Sequence, residues 1–469
     1  MTVETRRCQT LVIGAGPGGY VAAIRLGQLG QETILVEKRE LGGVCLNVGC
    51  IPSKALISAA KFYEKISQAK KMGISVSGLT IDPEKLQEWK QSIVKKLTGG
   101  VAQLCKGNGA ALLRGSARLV GNREAIVTDR KGKEIRIHFE NAIIATGSRP
   151  IEIPAFPFDG EIVIDSSTAL SLSQLPGRLL VIGGGYIGLE LGIMYRKLGV
   201  EVTIVEMMDQ LLPGFDPDLV AVVARKLKRS QVKTFLGARA VGFERTAGGA
   251  RVRIEHAGKE IELDTEKILV TVGRRPNTES LGLEAAGVRI DEKGFIPVDE
   301  RRATNVPGIY AIGDVAGQPM LAHKASKEGE IAAEVIAGRP SAYDVRTVPA
   351  VIFTDPEIAT AGLTEPEARA AGYDVITGRF NFAANGRAMT NLETDGFVKV
   401  VAERDTKDIL GISIVGPEAS DLISEGALAV EMCANVEDVA LTIHPHPTLP
   451  ECLMEAAKAA IGEAIHALK

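Results

Sequence analysis

Cysteine is scarce in this chain, which has six among 469 residues. Such a low count excludes a small secreted protein held together by a disulfide framework. A strong excess of one charge is also missing, since the formal net charge at pH 7 is −3. We therefore expect neither a nucleic-acid-binding surface nor an electrostatic attraction to anionic membranes.

The beginning of the chain lacks a long apolar run. The apolar stretch after Arg7 is interrupted at Gly14, so it is too short for a transmembrane helix and does not resemble a signal peptide. We expect a protein without a membrane segment. Its predicted location is the bacterial cytoplasm, or an organelle matrix if the sequence is a mature form.

Length and composition indicate a multidomain globular protein. At about 150 residues per domain, a chain of this length holds about three domains. The hydrophobic content of 45% and the charged content of 24% are typical of globular proteins.

The chain repeats one pattern, with an offset of 169 residues between the two copies. Each copy has a short apolar strand, a glycine motif, a helix, a second strand and an acidic residue. These five parts are 10–13, 14–19, 20–29, 33–36 and Glu37 in the first copy. In the second copy they are 179–182, 183–188, a helix that ends at Leu198, 202–205 and Glu206. The complete order is a strong indication of a dinucleotide-binding unit, whereas a glycine motif alone is a weak one.

Each position of the glycine motif has a physical role. The first glycine (Gly14 or Gly183) permits a tight turn, and the second (Gly16 or Gly185) lets the backbone approach a pyrophosphate. The third (Gly19 or Gly188) allows close packing of helix on strand, while the helix N-terminus attracts phosphate. The acidic residue hydrogen-bonds ribose hydroxyls, and at Glu206 it would repel a 2′-phosphate, which favours NAD over NADP. Two such units predict an α/β protein that transfers electrons between two cofactors.

One closely spaced cysteine pair, Cys45 and Cys50, lies at residues 42–54 in the string Gly-Gly-Val-Cys-Leu-Asn-Val-Gly-Cys-Ile-Pro-Ser-Lys. Zinc sites usually have four ligands, and the other cysteines stand singly, so we expect no metal site. The spacing approximately fits a helix turn with both sulfurs on one face. The beginning of a helix would lower a thiol pKa. Two thiols after a nucleotide-binding turn indicate a redox disulfide.

Two further strand–turn segments, 141–148 and 308–314, carry a family resemblance. With the first glycine motif they resemble the FAD-binding elements of the flavoprotein disulfide reductases, the class I pyridine nucleotide-disulfide oxidoreductases. The resemblance implies that FAD contacts Gly14, Gly16, Gly19, Glu37, Lys54, Gly115, Thr146, Gly147, Ser148, Asp314, Met320, Leu321, Ala322 and His323. It assigns NAD to Gly183, Gly185, Tyr186, Ile187, Gly188, Glu190, Glu206, Ala240 and Gly273.

The cysteine string is similar to the redox-active motif of the same family almost letter for letter. The resemblance implies that Cys45 exchanges with the substrate and that Cys50 lies against the flavin. It also implies that Lys54 approaches flavin N5 and that Glu190 is the acidic partner of Lys54.

Thiol–disulfide exchange requires a base, and histidine is suited to this near neutral pH. The segment from His444 to Glu451 resembles the C-terminal His-Pro-Thr…Glu signature of the family. By that resemblance His446 is the base, Glu451 is its partner, and His444 has a supporting role. Thr448 is a candidate N-cap for the helix that follows. The family supplies this base from the partner subunit of a homodimer.

Several details are similar to the dihydrolipoamide dehydrogenases within this family. They are the string Gly-Pro-Gly-Gly-Tyr-Val-Ala-Ala at 16–23, the redox string and Glu206. Glutathione-type reductases would have basic residues near 206, mercuric reductases have a C-terminal cysteine pair, and the related transhydrogenases lack the full thiol pair. The resemblance implies NAD-dependent oxidation of dihydrolipoyl groups on a carrier protein. That carrier is the acyltransferase core of a 2-oxo acid dehydrogenase complex or the glycine-cleavage lipoyl carrier.

Two other functions stay open at this point: a non-catalytic assembly subunit that retains the fold, and an NADH oxidase that passes electrons to oxygen. The predicted architecture has two Rossmann-like domains and a C-terminal α+β dimerisation domain. Its segments are 1–150 (FAD domain, first part), 151–277 (NAD domain), 278–346 (return to the FAD domain) and 347–469 (dimerisation domain).

Overall fold

The computed structural model describes residues 4–467. Its first part alternates strands and helices before a run of antiparallel strands. The elements are β1 Glu4–Ile13, α1 Pro17–Gln28, β2 Thr33–Glu37, α2 Gly43–Val48, α3 Cys50–Gln68, α4 Pro83–Gly107, β3 Ala111–Arg114, β4 Ser116–Gly121, β5 Glu124–Thr128, β6 Glu134–Ile144 and β7 Ser148–Pro150.

The middle of the chain repeats the strand–helix order. Its elements are β8 Val163–Ile164, α5 Ser166–Ala169, β9 Arg178–Ile182, α6 Tyr186–Lys197, β10 Glu201–Val205, α7 Pro217–Arg229, β11 Lys233–Phe235, β12 Ala238–Thr246, β13 Gly249–His256, β14 Lys259–Thr265, β15 Lys267–Val270 and β16 Arg274–Pro276.

The last part returns once to the first sheet and then forms a separate sheet. Its elements are α8 Leu283–Ala286, β17 Ile309–Ala311, α9 Ala322–Ile336, β18 Ala350–Ile352, β19 Glu357–Gly362, α10 Glu365–Ala370, β20 Val375–Asn381, α11 Gly386–Thr390, β21 Phe397–Glu403, β22 Ile409–Gly416, α12 Ala419–Glu431, α13 Val436–Leu441 and α14 Glu451–Ala460.

The first sheet has the order β3-β2-β1-β6-β5-β4, and β17 also pairs with β6. Strand β1 lies between β2 and β6 and is parallel to both. Its residues Leu11, Val12 and Ile13 are buried, as expected for a parallel strand that is covered on both faces. Because β2 and β6 flank β1 on opposite sides, the carboxyl end of β1 is a topological switch point, where open α/β sheets bind ligands.

The second sheet repeats this topology. Its order is β11-β10-β9-β15-β8, and each of its pairs is parallel. Strand β9 therefore corresponds to β1, with β10 and β15 in the places of β2 and β6. A three-stranded antiparallel sheet, β12-β13-β14, follows it.

The C-terminal sheet is antiparallel, with the order β18-β19-β22-β21-β20. Helix α12 packs on β19 and β22, while α14 packs on β20 and β21. The apolar side chains of β21 and β22 are buried beneath these helices. The predicted fold class, two Rossmann-like units followed by an α+β domain, is confirmed.

The helical stretch Gly43–Met72 meets the length and hydropathy criteria of a membrane span, with a mean hydropathy of 1.3. A core helix can satisfy the same criteria. This stretch is divided at Gly49 and contacts α4 and α6. Lys54 of this stretch pairs with Glu190, and Lys61 pairs with Glu418. These ion pairs join charged side chains of the stretch to other parts of the protein.

Candidate active site

The first glycine of each motif is required by backbone conformation and by space. Gly14 has a φ of 101° and Gly183 a φ of 105°, both in the region that L side chains rarely adopt. A Cβ atom on Gly14 would lie 2.4 Å from the carbonyl oxygen of Ala145, and one on Gly183 would lie 2.6 Å from that of Thr271. The two turns thus have the same local geometry.

The third glycine of each motif brings the helix against the turn. A Cβ atom on Gly19 would lie 1.8 Å from the oxygen of Gly14, and one on Gly188 would lie 2.2 Å from that of Gly183. The second glycines differ, because a Cβ atom on Gly16 or Gly185 would meet nothing within 4 Å. Packing within the protein therefore does not demand glycine there, and these positions fit the close approach of a dinucleotide pyrophosphate.

The acidic residue at the end of each unit also clamps its own turn. Glu37 accepts hydrogen bonds from the amides of Ala15 (2.8 Å) and Arg39 (2.7 Å). Glu206 accepts from the amides of Gly184 (2.6 Å) and Met208 (2.8 Å). Sequence reasoning missed this second role. Each carboxylate retains lone pairs with which it can bind a ribose.

The two strand–turn segments meet because β6 and β17 are parallel neighbours. Ser148 donates a hydrogen bond of 2.5 Å from Oγ to Oδ2 of Asp314. Thr146 and Asn277 bind each other, with bonds of 2.7 Å from Thr146 Oγ1 to the Asn277 carbonyl and 2.9 Å from Asn277 Nδ2 to the Thr146 carbonyl. The segment at 141–148 is thereby joined to the residue that follows β16. The sequence did not single out Asn277.

The remaining predicted flavin residues lie at the edges of the same sheet. The amide of Gly115 donates to the carbonyl of Glu37 at 3.0 Å. Gly147 has a φ of 68°. Met320 and Leu321 directly precede α9, of which Ala322 is the first residue. His323 is the second residue, and its Nε2 lies 2.8 Å from the carbonyl oxygen of Pro349.

The remaining predicted NAD residues lie on or near the second unit. Tyr186 begins α6 and is 39% exposed, and Ile187 packs against the hydrophobic core beneath it. Ala240 lies on β12 at a register shift. Gly273 has a φ of 128° and comes between β15 and β16.

The cysteine pair lies on two helices, so the prediction of a single helix turn was wrong. Helix α2 ends at Val48 and α3 begins at Cys50, with Gly49 between them at φ −140° and ψ −114°. This break redirects the chain, and the two thiols are hydrogen-bonded to each other. Among residues 4–467, no group of three or more His, Cys, Asp or Glu residues could hold a metal ion.

The two thiols have opposite pKa shifts. The hydrogen bond between them raises the pKa of Cys45, and burial adds to that shift. The same hydrogen bond lowers the pKa of Cys50 to about 7, with help from the Lys54 ammonium and against burial. Cys50 is also the first residue of α3, and a helix N-terminus favours a thiolate. These effects favour the thiolate form of Cys50 over that of Cys45.

Lys54 and Glu190 form an ion pair, as the resemblance implies. The distance between Nζ of Lys54 and Oε2 of Glu190 is 2.8 Å, and Glu190 is 5% exposed. The other carboxylate oxygen accepts from the amide of Phe353 at 3.0 Å, and the Lys54 ammonium lies 4.3 Å from the centre of the Phe353 ring. Phe353 therefore holds both members of the pair, which nothing in the sequence indicated.

His446 and Glu451 also form a pair, with 2.8 Å between Nδ1 and Oε1. The second oxygen of Glu451 accepts from the amide of Thr448 at 2.7 Å. Burial raises the pKa of Glu451, but the Thr448 amide and the His446 imidazole outweigh it and the pKa is lowered overall. Thr448 is not the N-cap, which is Pro450; the helix starts two residues later than that prediction required.

His444 lies beneath this loop with a side chain that is 4% exposed. Its Nε2 is 2.8 Å from Oε1 of Glu425, and its Nδ1 is 2.9 Å from the carbonyl oxygen of Thr442. Both ring nitrogens are thus occupied, so His444 is suited to support and not to proton transfer. The side chain of His446, by contrast, is 81% exposed. Within residues 4–467, no hydrogen bond or ion pair joins His446 to the thiols.

Comparison with known proteins decides the family. The model of the pyridine nucleotide-disulphide oxidoreductase family matches residues 8–329, and the model of its dimerisation domain matches residues 348–457. The chain belongs to this family. The dihydrolipoyl dehydrogenase of Geobacillus stearothermophilus is 52% identical over 458 residues, which are 98% of this chain and 97% of that protein. That of Bacillus subtilis (strain 168) is 51% identical over 461 residues and 98% of each chain.

Solved structures agree with this family. The crystal structure of LpdA from Mycobacterium tuberculosis has a TM-score of 0.90 at 30% identity, over 96% of this chain and 99% of that chain. RclA from Escherichia coli, a HOCl-induced flavoprotein disulfide reductase, has a TM-score of 0.85 at 27% identity, over 96% and 99%. The chain is thus an oxidoreductase of this family, whose cofactors are FAD and NAD as predicted. The dimerisation domain likewise supports the predicted homodimer.

Proposed function

We propose that this enzyme oxidises protein-bound dihydrolipoyl groups and reduces NAD⁺. The observation that carries the proposal is the place of the thiol pair: Cys45 lies on α2, and Cys50 begins α3, whose Lys54 pairs with Glu190 on the helix of the second dinucleotide turn. Relatives that are about half identical over nearly the whole chain are named dihydrolipoyl dehydrogenase, which supports the same substrate.

The reaction begins with the removal of a proton from one dihydrolipoyl thiol. Glu451 holds Nδ1 of His446, so Nε2 is free to accept that proton. The substrate thiolate attacks Sγ of Cys45 in the Cys45–Cys50 disulfide, and Cys50 leaves as a thiolate. A leaving sulfur with a low pKa departs faster, which suits Cys50.

The second substrate thiol then displaces Cys45 from the mixed disulfide, and its proton passes to the departing Cys45 sulfur. The lipoyl ring disulfide is released, and the two electrons taken from the dihydrolipoyl group remain on the Cys45 thiol and the Cys50 thiolate. The chemistry that FAD would supply is the transfer of these two electrons to NAD⁺. The Lys54 ammonium, paired with Glu190, would stabilise the Cys50 thiolate, and Glu206 would bind the NAD ribose.

We propose that His446 acts on the thiols of the partner subunit. The pair His446–Glu451 has no bond to the thiols within its own described chain, and His446 is exposed. Large apolar side chains at the ends of α12 and α13 and in the loop before His446 are exposed as well: Leu428 (59%), Met432 (71%), Leu441 (81%) and Ile443 (94%). Such a patch is typical of a protein interface, and a second copy covering it would bring His446 to the other active site.

The carrier proposed for this enzyme is a lipoyl-bearing acyltransferase of a 2-oxo acid dehydrogenase complex or a glycine-cleavage lipoyl carrier. The dihydrolipoyl thiols of both are the same chemical group, so the site accepts either. We propose the cytoplasm of a bacterium as its location, which fits relatives from Geobacillus and Bacillus.

The function is tested with the FAD-loaded enzyme, dihydrolipoamide and NAD⁺ under anaerobic conditions. We expect one NADH for each dihydrolipoamide oxidised. Cys45→Ser should abolish this turnover while NADH oxidation by ferricyanide persists, because the latter does not use the disulfide. In a separate aerobic assay, rapid NADH oxidation by oxygen without dihydrolipoamide turnover would point to an NADH oxidase. Loss of all turnover in the wild type would point to an assembly subunit.

A further inference from the structure

We propose that Asn385 is a positioning residue for the base pair His446–Glu451. This inference rests on the proposed function, because it concerns how the proposed base is held. Asn385 lies 63 residues away from Thr448 in the chain, between β20 and α11, and is 4% exposed. A buried side-chain amide must have its hydrogen bonds satisfied, so its partners are informative.

Both sides of the Asn385 amide group have a backbone partner, and the side chain also contacts the buried thiol of Cys452, the residue after Glu451. Its Oδ1 accepts from the amide of Ala388 at 2.9 Å and caps the beginning of α11. Its Nδ2 donates to the carbonyl oxygen of Thr448 at 2.9 Å. The cap alone would be satisfied by serine or aspartate, so the donation to Thr448 is what distinguishes asparagine.

The bond to Thr448 continues directly to the proposed base. The amide of Thr448 donates to Oε2 of Glu451 at 2.7 Å, and Oε1 of Glu451 lies 2.8 Å from Nδ1 of His446. Asn385 thus binds the backbone carbonyl of Thr448, and Glu451 binds the backbone amide of the same residue. His446 is 81% exposed, and within residues 4–467 its ring is held by Glu451. The loop is also held by a hydrogen bond of 2.6 Å from Thr448 Oγ1 to the Pro445 carbonyl. Loss of the Asn385 bond would remove one restraint on the loop without touching either ring nitrogen.

Asn385→Ser is the main test, since serine keeps the cap and cannot reach Thr448. We expect the kcat for dihydrolipoamide oxidation to fall about 10- to 100-fold, as misplacement of a catalytic group by about 1 Å costs that much. The KM for NAD⁺ and the rate of NADH oxidation by ferricyanide should stay unchanged. The pH–rate profile of the dihydrolipoamide reaction should change, because proton removal becomes the limiting step.

Asn435 supplies a matched control in the same domain. Its Oδ1 accepts from the amide of Glu437 at 2.9 Å, and its Nδ2 donates to the carbonyl of Thr406 at 2.7 Å, so it makes the same two kinds of bond at the start of α13 without a bond to Thr448. Asn435→Ser should leave kcat and the pH profile as in the wild type. Asn385→Asp, which keeps the shape and the cap but not the donor, serves if the serine variant does not fold.

Each outcome is decisive. Wild-type kcat and pH profile in Asn385→Ser, or in Asn385→Asp where that variant is used, overturn the positioning role. An equal loss in the Asn385 and Asn435 variants also overturns it, because a general weakening of the domain then explains both. If the wild type itself does not oxidise dihydrolipoamide but still reduces ferricyanide with NADH, the proposed function has failed.

Discussion

The two glycine turns have the same backbone conformation, but their helices pack against different parts of the protein. Gly14 and Gly183 share a left-handed φ, and each turn is clamped by its own acidic residue, Glu37 or Glu206. Helix α1 of the first unit is covered by α9, so closely that a Cβ atom on Gly18 would lie 2.9 Å from the carbonyl oxygen of Ala325. Helix α6 of the second unit packs instead against α3, the helix that begins with Cys50.

The difference is clearest at equivalent positions of the repeat. Val21 in the first unit corresponds to Glu190 in the second, by the same offset that relates the glycines. Val21 is half-buried, whereas Glu190 is buried and paired with Lys54. The second unit thus carries a carboxylate on the helix that packs against α3, which begins with Cys50. The glycine motif defines the nucleotide site of each unit. The packing of its helix decides whether the unit also contributes a side chain to the thiol site.

The largest effect is expected from Gly19→Ala. The added Cβ atom would lie 1.8 Å from a backbone oxygen, so the helix must move away from the turn. We expect thermal unfolding to show a loss of about 3 kcal/mol or more. Gly16→Ala is the control and should unfold as the wild type does when both are measured without FAD. Equal stability of the two variants would show that the third glycine is not required for packing.

A smaller effect is expected on cofactor affinity when the second glycine of either turn is replaced by alanine, and the affected cofactor differs between the two turns. Gly16→Ala and Gly185→Ala both add a Cβ atom that no protein atom opposes within 4 Å. Overpacking against a pyrophosphate should weaken binding about tenfold or more. We expect Gly16→Ala to lower FAD retention, and Gly185→Ala to raise the KM for NAD⁺ with FAD unchanged. An exchange of these results between the two variants would reverse the cofactor assignment.

The smallest expected effect is a pH shift in Glu190→Gln. The Glu190 carboxylate raises the pKa of Cys50, and the Lys54 ammonium lowers it. Removal of the carboxylate should therefore move the thiolate midpoint to more acidic pH, by about one pH unit. The absorption band of a thiolate next to oxidised flavin, followed against pH after two-electron reduction, reports this midpoint. Lys54→Met should move it to more alkaline pH, and an alkaline shift in Glu190→Gln contradicts the proposed role.

Much of the fold could be predicted because its units have strong local signals. Buried strands, glycines with a required φ and a terminal acid follow each other in a fixed order, and the structure contains both units. The thiol helix was predicted less well. Sequence spacing suggested one helix turn, but Gly49 ends one helix and starts another. The segment boundaries near 150, 277 and 346 stay predictions.

The residues that sequence reasoning missed act over long separations. Phe353 orients the Lys54–Glu190 pair from 163 residues after Glu190, and Asn277 holds Thr146 from 131 residues away. Neither residue belongs to a local sequence pattern, because the groups that each one contacts come near it only in the folded chain. Asn385 is of the same kind. Motifs thus name the reacting groups, while the groups that hold them emerge only from the tertiary structure.

The central claim, a site shared by the thiols of one subunit and His446 of the other, is tested most directly by mixed dimers. Cys50→Ser and His446→Gln chains carrying different tags are combined, and the heterodimer is purified. Each parent homodimer should be nearly inactive with dihydrolipoamide. The heterodimer holds one intact site if the base comes from the partner, and we predict about half of the wild-type turnover per dimer. A heterodimer as inactive as its parents would contradict the account.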